Sequence, residues 1–299
     1  MTQNRIVGIG ECMVEFAPDS PGMYRQSFAG DVLNTLWYAR RGLGSDWTLD
    51  LCSAVGEDPI SDHMLAFLEQ AGIRCDAVRR IPDRRPGLYM IQLKDGERSF
   101  SYWRDVSAAR LLASDPEHLK DKLADARMIY FSGITMAILS EEDADTLLSA
   151  LRVFRSEGTL IAFDPNLRPA LWASPEQMRA RITEAAKVAD IVFPSFDDEA
   201  AGFGDATPRD TMERYAGSGA KTVVLKNGAA AVETLADGAF DRFDTTPVKE
   251  MIDSTGAGDS FNGAFLAEFV RSSDLAAAIL AGQTCAAAVV QHRGALMDA

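Results

Sequence analysis

The sequence predicts an α/β fold in which helices cover both faces of a mainly parallel sheet and a small additional β-sheet projects from it. Short apolar runs alternate with amphipathic segments along most of the chain, the pattern of parallel strands separated by helices. Two segments, 13–28 and 88–104, break that rhythm, and each reads as two strands around a turn. The chain has 299 residues, 47% of them apolar, which is ample for one large core, and no repeat, low-complexity tract or linker divides it. The expectation is a single domain, 1–299, with the two strand pairs forming a lid.

In chain order, a first core strand over 5–10 is followed by the strand pair 13–28, which turns at Asp19-Ser20-Pro21-Gly22. A helix over 32–43, a strand over 49–55 and a helix over 61–71 come next. The second strand pair, 88–104, turns at Lys94-Asp95-Gly96-Glu97. Core strands over 128–131, 160–163, 191–193 and 222–225 then alternate with helices over 142–156, 175–189 and 209–216. Phe261, Ala264, Phe265 and Phe269 recur at helical spacing and place a helix over 257–271; a last one covers 275–292.

A net charge of −14 argues against nucleic acid or an anionic membrane as a partner, since both require a basic face. An anionic substrate must then be met by a few placed cations. Cys12, Cys52, Cys75 and Cys285 are scattered, without C-x-x-C spacing, and read as buried thiols in a reducing cytosol. No apolar run approaches the roughly 20 residues of a membrane span, and no charged-then-apolar leader opens the chain, so the expectation is a cytoplasmic protein. His63, His118 and His292 are far apart and receive no role.

The most informative stretch is Asp253-Ser254-Thr255-Gly256-Ala257-Gly258-Asp259. Gly256 and Gly258 let backbone amides converge on one charged oxygen, and the helix that follows adds its unpaired N–H groups. Asp259 falls in that helix's first turn, where it either caps the helix or accepts a proton from a hydroxyl attacking a phosphoryl group. Two decoys fall away. Gly8-Ile9-Gly10 has Met13 at the third glycine position of a dinucleotide fingerprint, and Gly219-Ala220-Lys221-Thr222 leads into a strand where a P-loop requires a helix.

Gly30-Asp31 precedes a helix carrying Asn34, a carboxylate and an amide that suit either sugar hydroxyls or a helix cap. The second strand pair carries Tyr89, Tyr102 and Arg104, with Tyr102 and Arg104 at same-face spacing; they bracket a small carboxylate or belong to a half-buried strand with its arginine in solvent. Arg168 lies in Asp164-Pro165-Asn166-Leu167-Arg168-Pro169, at the carboxyl end of a core strand, where open α/β sheets bind ligands.

Asp253-Ser254-x-x-x-Gly258-Asp259-x-Phe261, with Gly8-Ile9-Gly10-Glu11, Ala29-Gly30-Asp31, Asn34 and Val224-Leu225-Lys226-Asn227-Gly228, resembles the PfkB, or ribokinase-like, family of sugar kinases over essentially the whole chain. Arg85-Pro86-Gly87-Leu88-Tyr89, Gly96-Glu97-Arg98, Tyr102-Trp103-Arg104, Ser132-Gly133-Ile134 and Arg168-Pro169 with Leu171-Trp172 resemble the branch acting on 2-keto-3-deoxygluconate. The resemblance implies a ribokinase-like fold whose β-sheet lid is often shared in a dimer. It implies ATP-dependent phosphorylation of that sugar acid at its 6-hydroxyl, with Asp259 as base beside the anion cradle Gly256-Ala257-Gly258. Gly30, Asp31 and Asn34 then contact the sugar, and Tyr89, Tyr102, Arg104 and Arg168 help select its carboxylate. Ser195, Lys226 and Gly228 face the nucleotide together with the cradle. Asp198, or the adjacent Glu199, organises magnesium through water, and Asp253 and Thr255 match positions that bind a monovalent cation such as K+. The chain departs from the family in having Ala29 where a second glycine is usual and Ser195 where an asparagine is usual. Two other readings stay open: the same chemistry on 2-keto-3-deoxygalactonate, fructose, ribose or a nucleoside, and a sugar-binding regulator that has lost turnover.

Overall fold

A computed structural model describes residues 4–20, 22–94 and 97–297. Strand β1 (Arg5–Ile9) leads directly into β2 (Met13–Ser20) and β3 (Met23–Ala29) before the first helix, α1 (Asp31–Gly42). Then come β4 (Thr48–Val55), α2 (Pro59–Gln70), β5 (Val78–Arg80), β6 (Leu88–Lys94) and β7 (Glu97–Trp103). The alternation continues through α3 (Pro116–Leu123), β8 (Met128–Ser132), α4 (Gly133–Ile138), α5 (Glu141–Ser156), β9 (Leu160–Asp164), α6 (Pro175–Lys187) and β10 (Ile191–Val192). It ends with α7 (Phe196–Phe203), α8 (Pro208–Gly217), β11 (Thr222–Leu225), β12 (Val232–Ala236), β13 (Ala239–Phe243), α9 (Ala257–Ser272) and α10 (Leu275–Val289).

Among the described residues, nine strands form the main sheet in the order β13-β12-β11-β10-β9-β8-β1-β4-β5. Neighbours from β5 to β11 pair in parallel, and β12 and β13 add an antiparallel edge. Successive strand residues face opposite cores: Ile6, Tyr130 and Ala162 pack with α1, α2, α9 and α10, whereas Val7, Phe131 and Phe163 pack with α3, α5, α6 and α8. From β1 the chain builds outward first through β4 and β5, then returns to lay β8 on β1's other side. That reversal creates a crevice at the carboxyl ends of β1 and β8, the place where sheets of this kind hold ligands.

The two strand pairs that break the rhythm form a separate four-stranded sheet, β3-β2-β6-β7, joined where β2 runs parallel to β6. Pro21, Asp95 and Gly96 of their expected turns lie outside the described residues. Helix starts are set by their caps. Asp58, with Pro59 at the first helical position, begins α2 two residues before the expected 61. At the other end of the chain the Val290 carbonyl accepts the amides of Ile252 and Asp253, and α10 stops at Val289 rather than 292. The β12–β13 hairpin was not expected, although its turn, Asp237-Gly238, has positive φ at both residues (50° and 79°) and is a strong hairpin signal.

Candidate active site

The crevice gathers polar residues from five elements that the sequence keeps far apart. Asp259 stands in the first turn of α9, and one of its carboxylate oxygens accepts 2.8 Å from Asn34 Nδ2 on α1. Asp31, at the start of α1, accepts 2.9 Å from Asn166 Nδ2 in the loop after β9. Burial and the neighbouring Asp31 carboxylate push the Asp259 carboxyl up to about 7, with Asp164 adding to the rise, while the Asn34 bond and Lys226 oppose it. A carboxyl poised there is half protonated near neutrality, the range in which a base both accepts and releases a proton efficiently.

Beneath this pair lies a buried network. Lys226, just past β11, donates to Asp164 at the end of β9 (2.8 Å) and to Asn262 Oδ1 on α9 (3.2 Å). Asn262 in turn donates to Asp164 (2.6 Å) and to the Tyr130 hydroxyl (3.1 Å), which also receives the Thr35 hydroxyl at 3.3 Å. The lysine and Asp164 are nearly desolvated, so removing either would strand a buried charge. Lys226 also reaches the glycine turn: a Cβ on Gly258 would lie 3.4 Å from its ammonium.

Gly256 caps α9 with φ 76° and packs on Ala295, at the helix end whose first amides fall outside the intrahelical ladder. Of those amides Ala257 N–H bonds back to the Ser254 carbonyl at 3.2 Å. Asp253 braces the loop before the cradle, accepting from Thr255 (2.7 Å from its hydroxyl) and from the Gly294 amide at 2.7 Å. Ser195 precedes α7 and bridges to Lys226, while Gly228, two residues on, has φ 54° and open space around it.

Asp198 and Glu199 separate cleanly. Glu199 is fully buried and accepts from Arg214 (2.7 Å) and the Tyr215 hydroxyl (3.0 Å), which makes it part of the fold. Asp198 is half-exposed beside Arg168, at 3.7 Å; burial raises its carboxyl while Arg168 lowers it and Asp164 raises it. Among the described residues no group of three acidic, histidine or cysteine side chains could cage a metal. Magnesium held through water by one carboxylate and by phosphate oxygens requires no such cage, and Asp198 fits that mode.

On the small sheet, Tyr89 donates to Glu15, and its ring lies 5.8 Å from that of Tyr102. Tyr102 is 54% exposed, whereas Arg104, one residue past the end of β7, is only 9% exposed and is ion-paired to Glu11. The arginine is therefore not on a solvated strand face; its guanidinium carbon still lies 6.0 Å from the Tyr102 ring centroid. Arg104 and Arg168 each have a carboxylate partner of their own.

Sequence reasoning missed Asp164, Asn262, Tyr130 and Glu11. Asn262 is one helical turn after Asp259 and so shares its face, and Asp164 ends a core strand on the ligand side; both signals were readable. Tyr130 and Glu11 lie in apolar surroundings that gave no sign of a polar partner.

A sequence profile described as "pfkB family carbohydrate kinase" matches residues 3–298. The chain belongs to this family. A Haemophilus influenzae protein named 2-dehydro-3-deoxygluconokinase is 36% identical over 98% of this chain and 96% of its own. A Dickeya dadantii protein of the same name is 35% identical over 99% and 98%. Among solved structures, a PfkB protein from Polaromonas superposes with a TM-score of 0.83 at 28% identity, covering 96% of this chain and 95% of that one. A putative ribokinase II from E. coli, solved in complex with ATP and magnesium, superposes with a TM-score of 0.84 at 25% identity, covering 97% and 94%. The α/β architecture with its small separate sheet is thus the pfkB fold, and no helix among the described residues is long and apolar enough to cross a membrane.

Proposed function

We propose that this pfkB-family chain transfers the γ-phosphoryl group of ATP to the 6-hydroxyl of 2-keto-3-deoxygluconate (2-dehydro-3-deoxygluconate), giving the 6-phosphate and ADP. The observation that carries the chemistry is the buried Asp259, held by Asn34 and poised near neutrality at the head of α9. Agreement in name between two near-full-length relatives supports the substrate. Asp259 takes the hydroxyl proton as the sugar oxygen bonds to the γ-phosphorus and the bond to the β–γ bridging oxygen breaks. The Gly256-Ala257-Gly258 turn and Lys226 meet the charge on the transferred group. Gly30, Asp31 and Asn34 hold the sugar hydroxyls, while Tyr89, Tyr102, Arg104 and Arg168 select the acid; Ser195 and Gly228 line the nucleotide side. Magnesium near Asp198 would neutralise phosphate charge, and Asp253 with Thr255 would hold a monovalent cation such as K+ beside the cradle.

On this reading the chain is one cytoplasmic kinase domain whose small sheet closes over the sugar and excludes water. Met23, Tyr24, Phe100, Tyr102 and Trp103 are exposed on that sheet, an apolar surface that supports a dimer or higher oligomer through it. An ADP-release assay across 2-keto-3-deoxygluconate, 2-keto-3-deoxygalactonate, fructose, ribose and a nucleoside tests the proposal. The first should be turned over with the highest kcat/KM; preference for a neutral acceptor would reject the substrate, and no ADP from any acceptor would favour a sugar-binding regulator.

A further inference from the structure

The buried Glu11–Arg104 pair joins the roots of the small sheet. Glu11 lies between β1 and β2, where the chain leaves the main sheet, and Arg104 follows β7, where it returns. The two side chains are almost completely desolvated, 1% and 10% exposed. Their pairing is incomplete: Arg104 bonds through Nη2, whereas Arg104 Nε, Glu11 Oε1 and the nearby Ser107 hydroxyl are buried without a hydrogen-bond partner. Orphaned buried donors are rare and costly, so a pair that leaves one calls for an explanation. Gly87 closes over the pair so tightly that a Cβ there would come within 2.5 Å of Glu11 Oε1 and 3.2 Å of the Arg104 Cβ. The carboxylate is thereby held against the arginine.

A guanidinium has five donors in a planar fork, and a carboxylate takes two of them side by side. With Nη2 committed to Glu11 and Gly87 close against both side chains, the guanidinium is held in place, and its Nε–H has no protein acceptor. We propose that Glu11 is a positioning residue for acid selection: it clamps Arg104 beside Tyr102 so that the guanidinium donors Glu11 does not use are held for the carboxylate of the sugar acid. This rests on the sugar-acid reading above. A neutral acceptor brings no opposite charge to the guanidinium, so the clamp favours acids without touching them itself.

The test is Glu11→Gln, which keeps the size and one acceptor but loosens the hold on Nη2. The expected result is a KM for 2-keto-3-deoxygluconate raised about tenfold or more, with KM for ATP and kcat within about twofold of the parent. A variant that melts earlier yet keeps both KM values would overturn the inference, leaving Glu11 a staple of the small sheet. If Glu11→Gln fails to fold, Glu11→Asp keeps the charge and withdraws the carboxylate by one methylene; the same split in KM is expected, and unchanged values overturn the inference. A parent protein that phosphorylates only neutral sugars would reject the sugar-acid reading before any variant is made, and this inference with it.

Discussion

Asp259 and Asn34 show how a residue's neighbours set its chemistry. The position after a glycine turn made Asp259 a candidate base in the sequence, but its environment was not legible there, because Asp31, Asn34 and Asp164 come from segments far away in the chain. A base must be deprotonated to act, so kcat at saturating sugar should rise with pH through about 7 and level off above it. The Asn34 bond favours the carboxylate and holds its pKa down. Asn34→Ala should therefore move the acid limb of the pH–kcat profile upward, with activity at pH 7 falling and recovering at higher pH. An unchanged limb would mean that the bond does not tune the base. Arg104 teaches the opposite lesson: same-face spacing with Tyr102 left open a carboxylate bracket or a strand with its arginine in solvent, yet the strand ends at Trp103 and a buried Glu11 claims the arginine.

At the scale of elements, the central core strands and the longer helices were legible, while the edge strands β5, β12 and β13 and short helices such as α3 were not. All six expected core strands are present, because each is an apolar run long enough to stand out, except β10, whose two residues were recovered through their flanks. Helix α3 was missed despite Asp115-Pro116, a cap followed by proline at the first position. The start of α9 is the element that carries the chemistry, and its two glycines should separate by substitution. Gly256→Ala places a side chain at φ 76° and its Cβ 3.0 Å from the Ala295 backbone, so stability should fall by about 1–3 kcal/mol in denaturant titration. Gly258→Ala meets only the flexible end of Lys226, so stability should hold while turnover drops at least about tenfold through a displaced phosphate. Equal effects of the two changes on stability would contradict this division of roles.

For the molecule as a whole, the sequence conveyed a large sheet and a small separate one because the strand pairs 13–28 and 88–104 are alternating where the core strands are continuous. It did not convey the strand order, which depends on the long return from β5 to β8. If the small sheet closes over the sugar, hydrogen exchange with and without 2-keto-3-deoxygluconate should slow most in β2, β3, β6 and β7 and hardly at all in β9. Slowing confined to the 256–259 turn would show the small sheet to be static.

The central claim is that Asp259, held at the head of α9 by Asn34, takes the proton during phosphoryl transfer to a sugar acid. The measurement that meets it most directly is steady-state turnover and ligand binding for the parent and Asp259→Asn, side by side, with 2-keto-3-deoxygluconate and ATP. The variant should bind both ligands with near-parental affinity and lose about a hundredfold or more in kcat. A folded variant with near-parental kcat would contradict the account.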